Sequence, residues 1–207
     1  VCLIYFGSLY QLHKCPGHYG RYLALSGAQI DGKAALAAGL VDLYLEDMGG
    51  VEDAVAQSLE SDDFKATLAT ALSGEQASGL EYADIIERAF SDFDLSQILT
   101  ALDKDDSDFA KDTAALLRRR SPTSLAVTAQ HLEKTQKASF DEIIAMDFVL
   151  VQNFIRQGDM YEGIRAQVID KDKNPNWLPG SIEDLKEEDV NTYFTPTGYD
   201  LKDVQIF

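Results

Sequence analysis

The sequence predicts a mostly helical chain with one short extended element near the N-terminus. From Val51 onward apolar residues recur at helical spacing, and the segments that carry them end at glycine, proline or serine. Only Val1–Leu12 and Leu40–Leu45 have the composition or alternation of extended chain. The sequence has no fixed-period repeat and no apolar run long enough to cross a bilayer.

The first fifty residues hold the extended element and two short helices. Val1–Leu12 is aromatic and apolar, which suits a strand or a buried turn. A short helix follows Pro16-Gly17 and stops at Gly27, and a second, Lys33–Ala38, closes at Gly39. Leu40–Leu45 alternates apolar and polar residues, so we expect a strand or an extended segment there.

The rest of the chain reads as a succession of helices. Two starts carry a cap: Ser121 precedes Pro122, and Ser139 with Glu142 forms a capping box before the longest predicted helix, Phe140–Gln157. Further helices are predicted around residues 51–59, 64–72, 82–90, 95–102, 109–117 and 160–168, with a short one within 182–193. An acidic tail punctuated by proline and glycine ends the chain.

Acidic residues outnumber basic ones about two to one. The chain has 35 Asp and Glu, 18 Lys and Arg and a formal net charge of −17. Such a field repels nucleic-acid phosphates and anionic lipid headgroups, so we expect neither a direct nucleic-acid partner nor a membrane partner. With 45% hydrophobic residues, the 207-residue chain can still bury a core.

The three histidines do not form a catalytic pattern. His13 and His18 lie close in sequence without an acidic partner pattern, and His131 lies on a helix beside Glu133 and Lys134, where we expect it to face solvent. We therefore interpret all three as structural or surface residues rather than as catalytic ones.

Other candidate features also favour a structural interpretation. Ser8 lacks the flanking glycines of a nucleophile elbow, and the acidic run Asp103–Asp108 lacks the turn glycine and closing glutamate of a calcium loop. For the basic triplet Arg118–Arg120 we favour interaction with a helix C-terminus, with a phosphate contact as the alternative. Cys2 and Cys15 have no metal-ligand spacing, so we expect two free thiols and no metal.

Three stretches in a fixed order carry a resemblance to a known family. They are PGHYGRYLALSGAQIDGKAALAAGLV at Pro16–Val41, SPTSL at Ser121–Leu125 and DMYEGIRAQVIDKDKNPNW at Asp159–Trp177. The first resembles the crotonase superfamily of enoyl-CoA hydratases and isomerases. In the third, EG-I-R-A, IDKD and P-x-W together are similar to the distal signature of 3-hydroxyisobutyryl-CoA hydrolases. The resemblance extends from Pro16 to about Phe194.

The resemblance implies the C-terminal helical part of a crotonase-like α/β fold. Residues 1–50 would form the end of the core, with a divergent start at 1–14. Residues 51–180 would form the helical C-terminal region, and 181–207 an acidic surface tail. In the third stretch, Asp170, Lys171 and Asp172 would anchor the last helix, and Trp177 would cover an apolar patch.

The chemistry that the resemblance implies is thioester hydrolysis. Backbone N–H groups would form an oxyanion hole, and an acidic residue would activate water or form an acyl intermediate. An ungapped alignment of Ile4–Lys14 places Tyr5 at the family's acidic position, and the catalytic glutamate would precede residue 1. Since the pKa of tyrosine is about 10, Tyr5 cannot act as a carboxylate at neutral pH. We therefore expect no catalytic residue in this chain and no activity from it alone.

The resemblance also implies where substrate would bind. The last helix would cover the CoA moiety, and Lys171 and Gln167 are the candidate CoA contacts. Surface or structural ion pairs are the favoured alternative for both. No cofactor is expected, because CoA enters as part of the substrate.

Three hypotheses follow for the chain as a whole. It is the C-terminal portion of an acyl-CoA thioester hydrolase of valine breakdown, which needs a full core to bind acyl-CoA and work. Alternatively it is a non-catalytic scaffold, such as the peripheral mitochondrial ribosome proteins among family relatives, or a fragment with no function of its own. The family implies mitochondria, although no amphipathic, arginine-rich transit segment is visible. The sequence does not decide whether the chain forms a homo-oligomer.

Overall fold

The computed structural model describes residues 7–44, 50–71, 79–156 and 158–199. Over these ranges the chain is mostly helical, as predicted. The described residues contain no strand, and the predicted N-terminal extended element is not seen among them. None of the described helices is long and apolar enough to span a membrane. The chain divides into two compact units, one made of Val1–Ala28 with Tyr82–Phe207 and the other of Gln29–Glu81.

The larger unit is a bundle of short helices around α9 and α10. Its helices are α1 Ser8–Leu12, α2 Tyr19–Ser26, α6 Ala83–Ala89, α7 Leu95–Asp103, α8 Asp108–Arg118, α9 Pro122–Lys134, α10 Phe140–Arg156, α11 Gly158–Ile164 and α12 Glu187–Thr192. Helix α2 packs against α6, α8 and α9, and α7 packs against α6, α8 and α9. Helix α1 lies against α10, and α12 lies against α9.

The core of this unit is made of aliphatic and aromatic side chains supplied by every long helix. The largest fully buried side chains are those of Phe90, Phe154, Leu9, Leu25, Ile86, Ile98, Leu102, Leu117, Leu125, Ile143, Leu150 and His131. Burial of each aliphatic or phenylalanine side chain contributes about 1.5–3 kcal/mol, which outweighs the weak propensities of the short helices.

The predicted caps of α9 and α10 are confirmed. Ser121 Oγ accepts the N–H of Ser124 at 3.0 Å, and Pro122 occupies the first turn of α9. Before α10, Ser139 Oγ accepts the N–H of Glu142 at 3.3 Å, and Glu142 returns the bond by accepting the N–H of Ser139 at 2.7 Å. Both helices therefore begin where local side chains satisfy free backbone donors.

The predicted strand or buried turn over Val1–Leu12 is wrong for its second half, while residues 1–6 lie outside the described ranges. Ser8–Leu12 is helix α1, which follows Gly7 in a left-handed conformation with φ 74°. The N–H of Gly7 donates to Asp147 Oδ2 at 2.7 Å, and Leu9 is fully buried. These long-range contacts override the local preference of an aromatic, apolar segment for extended structure.

The smaller unit consists of α3 Gly32–Ala37, α4 Val51–Leu59 and α5 Phe64–Ala71. Helices α4 and α5 pack against each other, and Lys65 Nζ lies 2.7 Å from Asp42 Oδ1. The strand or extended segment predicted at Leu40–Leu45 is not a strand over residues 40–44, and Leu45 lies outside the described residues.

Candidate functional site

The segment Asp159–Trp177 is fastened to the start of α9 by one buried carboxylate. Asp159 is only 6% exposed, and its Oδ2 accepts the hydroxyl of Ser121 at 2.6 Å. Its Oδ1 accepts the N–H of Leu178 at 3.1 Å. Asp159 therefore joins Ser121, the N-cap of α9, to the backbone at Leu178, and the Ser121 hydroxyl also accepts the N–H of Ser124.

Between these anchors, α11 passes into a π-helical turn, Arg165–Ile169. The N–H of Asp170 donates to the carbonyl of Arg165 at 2.8 Å, which closes the wide turn. Ala166 is fully buried in it. Single π-turns of this kind occur often at functional sites, because they displace side chains from their α-helical positions.

Arg165 organises the loop that follows the π-turn. Its Nε and Nη2 donate to the two carboxylate oxygens of Glu162, both at 2.8 Å. Its Nη1 donates to Asp170 Oδ2 at 2.6 Å and to Asp172 Oδ2 at 2.7 Å, and Nη2 also reaches the carbonyl of Asn174 at 3.2 Å. One planar guanidinium thus holds three carboxylates together and binds Glu162 through two parallel hydrogen bonds, which a lysine cannot reproduce.

This network fixes the protonation states of its members. The hydrogen bond from Arg165, supported by the N–H of Asn176, lowers the pKa of Glu162 to about 2. The same guanidinium lowers the pKa of Asp172. The hydrogen bonds that Arg165 donates to Glu162, Asp172 and Asp170 raise the pKa of Arg165. Glu162, Asp172 and Arg165 are therefore ionised at neutral pH.

A cavity of about 240 Å³ lies between the end of α8 and the π-turn with its following loop. Its lining comprises Leu116, Arg119, Arg120, Gly163, Ala166, Gln167, Lys173, Pro175 and Trp177. The indole N–H of Trp177 donates to the carbonyl of Arg119 at 3.0 Å, which fixes one wall. Arg120 Nη2 donates to the carbonyl of Ser26 at 2.9 Å, which holds that side chain in place.

The lining of the cavity has three cationic side chains, Arg119, Arg120 and Lys173, and no acidic one. This is a local inversion of charge in a chain whose formal net charge is −17. The buried Nε of Arg120 has no hydrogen-bond partner among the described residues. A concave site of this composition attracts an anion that offers several acceptor oxygens.

The structure separates the two residues proposed from the sequence as CoA contacts. Gln167 lines the cavity, whereas Lys171 is exposed, has φ 57° and is not among the lining residues. Lys173, two positions later, is the lysine that lines it. Tyr5 lies outside the described residues.

The basic triplet at the end of α8 serves two purposes. Arg118 pairs with Asp103, Nη2 to Oδ2 2.6 Å, as a surface contact between α7 and α8. Arg119 and Arg120 instead line the cavity. The sequence could not show which of the three arginines line the cavity, because that depends on which side chains face the loop at Trp177, 58 residues after Arg119.

His131 is the one histidine whose predicted position is wrong. It is buried rather than solvent-facing, and its side chain is 2% exposed. Its Nε2 lies 3.6 Å from Asp147 Oδ1, and Asp147 in turn accepts the N–H of Gly7. Burial, with the nearby His13 adding to the effect, lowers the pKa of His131 to about 4. The side chain is thus neutral at physiological pH and fills the core between α9 and α10.

The other two histidines lie near the surface and make specific contacts. His13 Nε2 lies 2.9 Å from Thr135 Oγ1, and burial followed by the charge of Arg21 lowers the pKa of His13. His18 Nδ1 lies 3.0 Å from the carbonyl of Glu87 and 3.4 Å from its carboxylate. No group of three or more histidine, cysteine and acidic side chains in the described part of the chain is arranged to hold a metal ion.

Known proteins similar to this chain share one family. A model of the enoyl-CoA hydratase/isomerase family matches residues 6–194. The mitochondrial 3-hydroxyisobutyryl-CoA hydrolase of Dictyostelium discoideum is 32% identical over 199 residues, covering 92% of this chain and 52% of that protein. The Homo sapiens protein of the same name is 30% identical over 209 residues, covering 95% and 54%. The chain therefore spans about half the length of these relatives.

Solved structures agree with the sequence relatives. A carnitinyl-CoA dehydratase from Mycobacterium thermoresistibile superposes with a TM-score of 0.80 at 27% identity, covering 94% of this chain and 56% of that one. An enoyl-CoA hydratase from Rhodobacter sphaeroides 2.4.1 superposes with a TM-score of 0.75 at 28% identity, covering 93% and 56%.

Proposed function

Because the chain belongs to the enoyl-CoA hydratase/isomerase family, we propose that it acts as part of an acyl-CoA thioester hydrolase for 3-hydroxyisobutyryl-CoA. Support comes from the curated relatives, several of which carry that activity in their names at about 30% identity over most of this chain. The names of these relatives also support a mitochondrial location, and the family resemblance implies a place in valine breakdown. Both remain proposals for this chain.

The contribution that we assign to this chain is binding of the CoA moiety. The observation that carries it is the cationic cavity, since CoA is a nucleotide with three phosphate groups that a fork of arginines can bind bidentately. Arg119, Arg120 and Lys173 supply the charge, and Gln167 supplies an amide donor. Lys171, exposed two residues before Lys173, can approach a phosphate outside the cavity.

The hydrolytic carboxylate is assigned elsewhere. The position aligned with the family's acidic residue is Tyr5, and a protonated phenol cannot replace a carboxylate that activates water. Asp159, Glu162, Asp170 and Asp172 lie near the cavity, but each is committed to the hydrogen bonds that hold the loop. We therefore propose that this chain needs a crotonase core to hydrolyse thioesters.

The binding proposal is tested by isothermal titration calorimetry with CoA, 3′-dephospho-CoA and pantetheine. We expect CoA to bind most tightly and pantetheine, which lacks the nucleotide phosphates, to bind least. Replacing Arg119 and Lys173 together with glutamate should weaken CoA binding at least about tenfold, because charge-assisted hydrogen bonds are lost. Arg118→Glu is the matched control, since Arg118 pairs with Asp103 outside the cavity. Equal affinities for the three ligands would contradict the proposal.

The hydrolase proposal is tested by thiol release from 3-hydroxyisobutyryl-CoA. We expect background release from the 207-residue chain and turnover when it is joined to the N-terminal half of the Dictyostelium relative. In that hybrid the Arg119→Glu, Lys173→Glu double variant should raise KM. Turnover by the 207-residue chain itself would refute the assignment of Tyr5, and Asp159→Asn, Glu162→Gln and Asp170→Asn would then identify the working carboxylate.

A second candidate function is that of a non-catalytic interaction protein, for example a peripheral component of the mitochondrial ribosome. The observation that favours it is the formal net charge of −17, which suits contact with basic proteins rather than with RNA. Co-sedimentation with ribosomal particles at low salt would support this function. Free migration at every salt concentration would exclude it.

A further inference from the structure

A groove of about 450 Å³ lies on the larger unit, away from the lining of the cationic cavity. It is bounded by the turn before α7, by α9, and by the segment that leads into α12. Its volume falls within the range of specific ligand pockets. None of its lining residues belongs to the CoA site proposed above.

The floor of this groove is apolar. It is formed by Leu95, Ala126, Ala129, Ile182, Leu185 and Val190. Val190 belongs to a buried cluster with Leu150 and Phe154, against which Ala126 and Leu185 pack. The floor is thus the outer edge of the core, and the small side chains of Ala126 and Ala129 on α9 leave room above it. An apolar concavity of this kind fits aliphatic side chains of another molecule.

The rim of the groove is acidic. Asp92, Asp94, Glu133 and Glu187 line it, against a single lysine, Lys186. Asp94 caps α7 through the N–H of Ser96 at 2.7 Å, and the N–H of Asp94 donates to Asp92 Oδ1 at 2.9 Å. These backbone bonds hold both carboxylates at fixed positions on one side, while Glu133 and Glu187 stand exposed on the helices that border the groove.

Arg21 is the other cation close to this rim, but it is already committed. Its guanidinium stacks on the ring of Phe93 at 3.6 Å from the centroid and donates to the carbonyls of Phe90 and Asp92. Arg21 does not line the groove. Arg21 offsets part of the charge of Asp92 and Glu133, but the groove lining itself has four carboxylates against one ammonium group, so a phosphate-bearing ligand such as CoA would be repelled.

We propose that this groove docks a basic amphipathic segment of a partner protein, with aliphatic side chains on the floor and lysine or arginine side chains at the acidic rim. The apolar floor supplies affinity, and the rim supplies orientation and a fast, salt-dependent encounter. This inference does not depend on thioester hydrolysis, because it uses a different surface and a ligand of opposite charge.

The test is fluorescence anisotropy with a labelled helical peptide that carries leucines on one face and lysines on the other. Its twin has glutamates in place of the lysines. We expect the lysine peptide to bind, to weaken as salt rises, and to bind at least about tenfold more tightly than its twin. Glu187→Lys should weaken binding at least about tenfold, and Ile182→Asn should weaken it by removing part of the floor.

Glu188→Lys is the matched control, since it changes the same charge in the same turn of α12 outside the groove lining. An equal loss of binding in the Glu187 and Glu188 variants would overturn the proposal in favour of unspecific attraction to an acidic surface. Failure of the lysine peptide to bind would also overturn it. So would concentration-dependent dimerisation that Glu187→Lys abolishes, because the occupant would then be a second copy of the chain.

Discussion

At the scale of single residues, burial rather than sequence neighbours decides what His131 does. Glu133 and Lys134, which follow it in α9, are exposed, and these polar neighbours favoured a prediction that His131 also faces solvent. Helix α10 nevertheless covers it with Asp147. A helical position is assigned to core or surface by its partner helix, and that information is absent from the local sequence.

The same burial predicts a pH dependence of stability. The pKa of His131 falls from an ordinary 6.5 to about 4 in the folded chain, so between these values the unfolded state binds more protons. The contribution of neutral His131 to the free energy of unfolding is therefore fully present above about pH 6.5. It is lost as the pH falls towards 4, by up to about 3 kcal/mol. The pKa of His13 is lowered as well, so His13 acts in the same direction.

We expect His131→Gln to flatten this part of the pH profile. The measurement is urea denaturation followed by circular dichroism, with wild type and variant compared at neutral pH and near pH 4.5. His18→Gln, which changes a histidine outside the core, should keep the wild-type slope. If wild type and His131→Gln lose the same free energy of unfolding on acidification, the charging of His131 is not responsible.

At the scale of elements, sequence patterns found most helices because their signals are local. The spacing of Tyr82, Ile85, Ile86, Ala89 and Phe90 matches α6, and the two serine caps fix the starts of α9 and α10 within their own first turns. Helix α1 was missed because its position depends on a distant partner, Asp147. The short helix predicted within 182–193 is confirmed as α12, which spans Glu187–Thr192.

The loop after the π-turn should depend on Arg165 in a way that a lysine cannot replace. We expect Arg165→Lys to lower the hydrogen-exchange protection of the Asn174 and Asn176 amides at least about tenfold. The carboxylates that accept those amides would lose their shared bidentate partner. Amide exchange measured by NMR checks this, and protection in α9 should stay unchanged.

Arg156→Lys provides the control, because it makes the same substitution at an exposed position at the end of α10. Equal protection at Asn174 and Asn176 in both variants would show that the loop is held by its backbone and by Asp159 alone.

At the scale of the whole molecule, the candidate site could be predicted only in part. Resemblance pointed to the Asp159–Trp177 segment and to Gln167, which lines the cavity. Arg119, Arg120 and Lys173 could not be chosen from the sequence, because they meet where the end of α8 faces the loop after the π-turn. Cationic residues in an acidic chain become a site only through such long-range placement.

The larger unit should fold without the smaller one. Tyr22 in α2 and Tyr82 before α6 both contact the ring of Phe109, with centroid distances of 5.6 and 4.2 Å. The chain therefore leaves and re-enters this unit near one aromatic cluster.

Replacing residues 29–81 with a short glycine–serine linker should leave a cooperative urea transition and dispersed NMR signals, since the entropy of loop closure changes slowly with loop length. Phe109→Ala in the shortened chain should destabilise it by about 1–3 kcal/mol, less than at a fully buried position, because Phe109 is only partly buried. A non-cooperative transition in the shortened chain itself would contradict this expectation.

The bond from the Gly7 amide to Asp147 has a consequence for biosynthesis. It joins positions 140 residues apart, so α1 cannot pack against α10 until α10 has emerged from the ribosome. During that interval the first helices expose Leu9 and Leu25, which the native state buries completely. Domains generally fold as units during synthesis, and exposed apolar segments that wait for later partners are prone to aggregate. The nascent chain is therefore most exposed to aggregation in the interval between the synthesis of α1 and that of α10.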